Sequence, residues 1–75
     1  MNDDLPTQPS EIFDLIVKAD EKLKYATSER SEERTQQARG LLERARQAAQ
    51  AIGNDALVVQ AVTRLTDLES SSEPA

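Results

Sequence analysis

The chain contains neither cysteine nor histidine. These absences exclude disulfides, thiolate nucleophiles, zinc sites of the Cys/His type and imidazole acid–base catalysis. The adjacent acids Asp3–Asp4 and Glu32–Glu33 fit a solvated tail and a helix start better than a catalytic cleft. No calcium-loop or glycine-rich phosphate-loop motif occurs. We therefore expect no enzymatic activity, no metal and no cofactor.

Aromatic residues and long hydrophobic runs are also scarce. Phe13 and Tyr25 are the only aromatic side chains in 75 residues, so the core must come mainly from Leu, Ile, Val and Ala. No apolar run approaches the roughly 20 residues of a membrane span, and the acidic N-terminus does not resemble a secretory signal. We expect a soluble, cytoplasmic protein with no membrane partner, whose small core gives modest stability.

Negative charge prevails in the chain, but it is unevenly distributed. The net charge is −5, which disfavours binding to a nucleic-acid phosphate backbone. Residues 1–29 carry seven acids and three bases, residues 30–46 carry five Arg and three Glu, and residues 47–75 carry four acids and one Arg. We interpret the basic middle segment as complementary to its acidic neighbours within the fold, and we expect no nucleic-acid partner.

Apolar residues recur at spacings of three and four along three segments, which predicts three amphipathic helices. We predict helices over about residues 11–26, 32–52 and 55–69, between disordered tails at 1–9 and 70–75. Ser10 is the predicted N-cap of the first helix, and Ser31 or alternatively Ser28 caps the second. The predicted core stripes are Ile12, Ile16, Ala19, Leu23 and Ala26, then Ala38, Leu42, Ala45, Ala49 and Ile52, then Leu57, Val58, Ala61, Val62, Leu65 and Leu68.

Gly53 and Asn54 separate the second and third predicted helices. Glycine suits the left-handed position that ends a helix, and asparagine caps the helix that follows. So short a connection requires an antiparallel helix pair. The predicted fold is therefore an all-α, three-helix antiparallel (up-down-up) bundle. Gly40, inside the second helix, marks either a close backbone crossing or a tolerated surface glycine.

The second and third predicted helices resemble a tetratricopeptide-repeat hairpin. Ala38, Leu42 and Ala45 follow the small–large–small order of that repeat's second helix, and residues 49–68 resemble a boundary between repeats. The chain would hold about one and a half repeats, although Thr66 stands where the family has a glycine. The resemblance implies a helical hairpin and peptide binding. A three-helix domain of the microtubule-interacting-and-transport type fits the number of helices equally well.

Two surfaces are candidates for partner binding. Phe13 and Val17 share a flank of the first helix that three short helices need not cover, and a groove across that helix or between the first and third would accept a helix or an extended peptide. Tyr25 is a candidate anchor, or else packs at the bundle edge. Arg39 and Arg46 on the second helix would bind an acidic peptide, or else belong to an ordinary solvated face.

The function that these features favour is a non-enzymatic protein–protein interaction module that binds a peptide or helix of a partner protein. Two alternatives stay open. One is self-assembly into a homodimer through the patch on the first helix. The other is inhibition of a basic partner by this acidic chain.

Overall fold

Three α-helices make up the computed structural model, which describes residues 5–24 and 31–72, apart from the side chains of 70–72. The helices are α1 (Pro9–Lys24), α2 (Ser31–Ala51) and α3 (Asp55–Ser72), in the predicted order and close to the predicted bounds. α3 continues past the predicted end at Glu69 into the segment that was predicted as a tail. The predicted positions Ala26 and Ser28 lie outside the described residues.

The start of α1 differs from the prediction. The backbone N–H groups of Glu11 and Ile12 donate to the carbonyl oxygen of Gln8 at 3.0 and 3.1 Å, so the helix begins at Pro9. Proline suits this first position because its missing N–H would have no helical partner there and its φ is already helical. The predicted N-cap at Ser10 is therefore wrong, since Ser10 lies inside the first turn.

The end of α2 forms the predicted glycine stop. Gly53 has a φ of 73°, in the left-handed region. Its N–H donates to the carbonyl of Gln50 at 3.1 Å, while the N–H of Asn54 donates to the carbonyl of Ala49 at 2.9 Å. This pair of bonds is a Schellman motif, which satisfies two carbonyls that the helix end leaves without partners.

The start of α3 confirms the predicted cap at Asn54. The side-chain Oδ1 of Asn54 accepts a hydrogen bond from the N–H of Leu57 at 3.2 Å. Its backbone carbonyl accepts one from the N–H of Val58 at 3.1 Å, which is the first helical bond of α3. One residue therefore closes the Schellman motif of α2 and caps α3, so the chain reverses direction within a very short connection.

Two ion pairs show how the helices run relative to one another. Asp20, in the second half of α1, pairs with Arg64, in the second half of α3. Arg39, in the first half of α2, lies 3.9 Å from Glu69 near the end of α3. α1 and α3 therefore run in the same direction and α2 runs opposite to both, which is the predicted antiparallel three-helix arrangement.

The core follows the predicted stripes, with some differences. Leu23, Ile52 and Val58, predicted in the stripes, are only partly buried against the core. Val62 was predicted in the core but is 40% exposed, and Ala48, predicted only to flank the stripe, is fully buried. Half of the buried hydrophobic residues are alanine, which lets the helices approach closely. The buried residues among those described are Ile12, Ile16, Ala19, Ala38, Leu42, Ala45, Ala48, Ala49, Leu57, Ala61, Leu65 and Leu68.

Part of the predicted N-terminal tail packs on the bundle. Leu5 is half-buried and contacts the core cluster, and Pro6 is half-buried beside it. The polar composition of residues 1–9 hid this contact, because a single leucine shows no periodicity. Leu5 adds apolar contact just before α1 begins.

Gly40 is a surface glycine. It is exposed, and a Cβ built on it would meet no atom within 4 Å. The buried residues Ala38 and Leu42 on either side of it face the core, so Gly40 faces away. The alternative of a close backbone crossing at Gly40 is wrong.

Candidate partner-binding groove

One flank of α1 carries Phe13, Val17 and Asp20 at the spacing i, i+4 and i+7, which places all three on one face of the helix. The Phe13 side chain is 46% exposed and Val17 is half-buried. The patch expected here is therefore not covered by the described part of the bundle. A single exposed aromatic carries little information, so the surroundings of Phe13 decide what it does.

An ion pair shows that this flank of α1 faces α3. Arg64 Nε donates to Asp20 Oδ1 at 3.0 Å and to Oδ2 at 3.2 Å, and its Nη1 donates to the carbonyl of Gln60 at 3.3 Å. The guanidinium is thus held by both helices. Since Asp20 faces α3, Phe13 and Val17 border the same side of α1.

α1 and α3 each pack chiefly against α2 and touch each other only lightly. A groove therefore runs between them, with α2 as its floor. We call this the α1–α3 groove: its α1 wall carries Phe13 and Val17, and the Asp20–Arg64 pair crosses it.

A cleft lies at the end where α1 and α3 approach their C-terminal ends and α2 begins, and it shares the Asp20–Arg64 pair with the α1–α3 groove. The cleft has a volume of about 720 Å³. Only two of its described lining residues are apolar, whereas small-molecule sites are usually lined mainly by hydrophobic side chains. A polar, open cleft suits a peptide better. The lining residues are Asp20, Leu23, Ser31, Glu32, Thr35, Gln36, Arg39, Arg64, Asp67 and Leu68.

The two predicted arginines occupy different settings. Arg39 lines the cleft, with its Nη1 3.9 Å from Glu69 Oε2. Arg46 donates from Nη2 to Glu43 Oε1 at 2.7 Å, one turn away on α2, and does not line the cleft. Arg39 thus pairs with an acid of a neighbouring helix, as the interpretation of internal charge complementarity expects, whereas Arg46 pairs within its own basic segment.

The structure brings together part of the predicted site. Phe13 and Val17 border the groove and Arg39 lines the cleft, while Arg46 lies apart. Tyr25 lies outside the described residues, so its role as an anchor stays a prediction. The sequence did not single out Arg64 as a site residue. It is the one basic residue of the acidic segment 47–75, and a lone base among acids could have indicated an ion pair with another helix.

Other kinds of site receive no support from the described side chains. No group of three or more of them that could ligate a metal ion lies together. Across residues 5–24 and 31–72, no helix combines the length and the apolar character needed to cross a membrane. Comparison with family models, with curated proteins and with solved structures finds no match to this chain.

Proposed function

We propose that this chain is a non-enzymatic protein–protein interaction module whose α1–α3 groove binds a helix or an extended peptide of a partner protein. The observation that carries this proposal is the position of Phe13. Phe13 is 46% exposed on the flank of α1 that also carries Asp20, beside half-buried Val17. A partner side chain in the groove would bury the Phe13 ring.

The groove combines the two components of a protein interface. Interfaces place aromatic anchors at the centre and polar groups at the rim. Phe13 lies seven residues before Asp20, which is about 10 Å along the helix axis. A ligand of two or three helical turns would therefore cover Phe13 and also reach the Asp20–Arg64 pair and the cleft.

The charge and lining of the groove favour a peptide over other ligands. The net charge of −5 opposes a nucleic-acid backbone. The mixed acids, arginines and hydroxyls of the cleft offer hydrogen bonds to a peptide backbone and its side chains. The resemblance of α2 and α3 to a tetratricopeptide-repeat hairpin points in the same direction.

Photo-crosslinking from position 13 tests the proposal. Phe13 is replaced by benzoyl-phenylalanine in cells, and partners captured on irradiation are identified by mass spectrometry. We expect a protein captured from position 13 but not from the same replacement at Gln47, which is exposed on α2. Capture of the same proteins from both positions would contradict a specific groove.

Binding of the captured partner is then measured with purified proteins by calorimetry. We expect Phe13→Ser to weaken binding by about tenfold or more, as for a central aromatic anchor. Val59→Ser is the matched control, because it removes an exposed apolar side chain from another face and should leave the affinity nearly unchanged. Equal affinities for wild type and Phe13→Ser would overturn the proposal. An affinity that falls steeply with salt would indicate charge-driven inhibition of a basic partner instead.

A further inference from the structure

The outward face of α3 differs from every other exposed helix face in the described structure. Between Leu57 and Thr66, the exposed residues of α3 are Val59, Val62, Thr63 and Thr66. All four are β-branched and none is charged. We call these four residues the α3 outer face. Val59 and Val62 are 61% and 40% exposed.

β-Branched residues are a poor choice for a solvated helix face. They have weak helix propensity because their χ1 freedom is restricted in a helix. The exposed residues of α1 and α2 are instead mostly charged or amide side chains. Of the charged residues of α3, Arg64 contacts Asp20 on α1 and Glu69 approaches Arg39 on α2, while the exposed Asp55 and Asp67 flank these four residues in sequence. The α3 outer face is therefore neutral and partly apolar.

Charge makes this face the favourable contact between two copies of the chain. Each copy carries −5, so contact between the acidic surfaces of two copies is repulsive, whereas the four residues of this face carry no charge. An antiparallel pairing of α3 with its copy, centred between Val59 and Val62, places each valine opposite the other one. Asp55 then lies opposite Thr66, no charged residue directly faces another, and the two helix dipoles are antiparallel.

We propose that the chain forms a homodimer in which the α3 outer face pairs antiparallel with that of a second copy. Such an interface is isologous and self-complementary. It lies on a different surface from the α1–α3 groove and does not depend on the proposed peptide binding. A single helix pair buries less than the roughly 800 Å² per partner of a standard stable interface. The dimer is therefore weak and forms only at high protein concentration.

Sedimentation equilibrium over a concentration series tests the dimer with two single variants, Val62→Glu and Val59→Lys. Each places a charge against an apolar residue of its copy and should weaken self-association by about tenfold or more. When the two variants are mixed, Glu at 62 of one copy faces Lys at 59 of the other, and the remaining two valines meet. We expect the mixture to recover the association that each variant loses alone.

Two controls locate the interface. Gln47→Glu adds the same charge to an exposed position of α2, and Phe13→Ser removes the aromatic of the groove; both should dimerise like the wild type. Circular dichroism shows that each variant is folded. A wild type that stays monomeric at the highest concentration overturns the proposal. So does unchanged dimerisation of Val62→Glu, or a loss with Phe13→Ser, which would place the dimer in the groove. Failure of the mixture to associate overturns the antiparallel pairing.

Discussion

At the scale of one residue, Gly40 shows how a glycine on the surface of a helix lowers stability. A Cβ at this site meets no atom within 4 Å, and the position lies in the interior of α2. Gly40→Ala should therefore raise the free energy of unfolding by about 0.5–1 kcal/mol, because alanine loses less backbone entropy on folding. Urea denaturation monitored by circular dichroism measures the change. An unchanged or lower stability would show that Gly40 has a packing role.

Gly53 provides the control for Gly40. A Cβ at Gly53 also meets no atom within 4 Å, but its φ is 73°. Gly53→Ala should therefore lower the free energy of unfolding by about 1 kcal/mol or more, since only glycine adopts this conformation without strain. The same substitution thus has opposite signs at two open sites, one inside α2 and one just after its end, because the backbone conformation differs.

Leu5 tests the contact that residues outside the helices make with the core. Because this side chain is half-buried against the core cluster, Leu5→Ala should cost about 1 kcal/mol, roughly half of what full burial of a leucine contributes. Thr7→Ala, at an exposed position of the same segment, should change stability by less than about 0.5 kcal/mol. Chemical denaturation of both variants checks the prediction, and equal effects would contradict a specific role for Leu5.

At the scale of an element, Asn54 holds the junction between α2 and α3. Its Oδ1 accepts the hydrogen bond from the Leu57 N–H. Asn54→Ala should therefore cost about 0.5–2 kcal/mol, while Asn54→Asp, which keeps a capping oxygen, should cost little. Thermal unfolding of the two variants separates the cap from the backbone bonds of the Schellman motif, which neither change removes. Equal melting temperatures for the two variants would show that the side chain does not cap α3.

The elements that could be predicted from sequence are those whose cause is local. Three apolar stripes and the Gly53–Asn54 junction depend on neighbours within a few residues, so the three helices and the junction between α2 and α3 were predicted correctly. The start of α1 was misplaced by two positions because Ser10 and Pro9 each have a favoured place at a helix start. The Asp20–Arg64 pair joins residues 44 positions apart. It depends on how α1 and α3 rotate about their axes, which periodicity does not determine.

Because periodicity does not determine how the helices pack, the candidate site was predicted only in part. Exposure of Phe13 was predicted from the width of its stripe, which exceeded what three short helices need to cover. Val62 lies at the edge of the α3 stripe, and periodicity alone placed it in the core, whereas the packing of α3 against α2 leaves it exposed. The arginines of α2 were identifiable as a group, but which of them borders the cleft depends on the tertiary arrangement.

At the scale of the whole molecule, the core is small. Half of its buried residues are alanine, and the largest fully buried side chains are Ile12, Ile16 and Leu42. Alanine permits close helix packing but removes little apolar area from water, so the bundle gains only modest stability. Binding of a partner adds to it by mass action: a partner at about 100 times its Kd contributes about 2.7 kcal/mol. The groove and the α3 outer face are the surfaces through which such a gain would come.

The proposed dimer makes a prediction about salt that concerns the whole molecule. Two copies carry −5 each and repel, whereas the α3 outer face contains no charged side chain. Raising the salt from about 0.01 M to about 0.1 M shortens the Debye length from about 30 Å to about 10 Å and screens this repulsion. Dimerisation of the wild type should therefore strengthen with salt, as measured by sedimentation equilibrium at the two concentrations. An interface held by ion pairs would weaken instead, because salt screens attraction as well as repulsion, and that result would place the contact on a charged face.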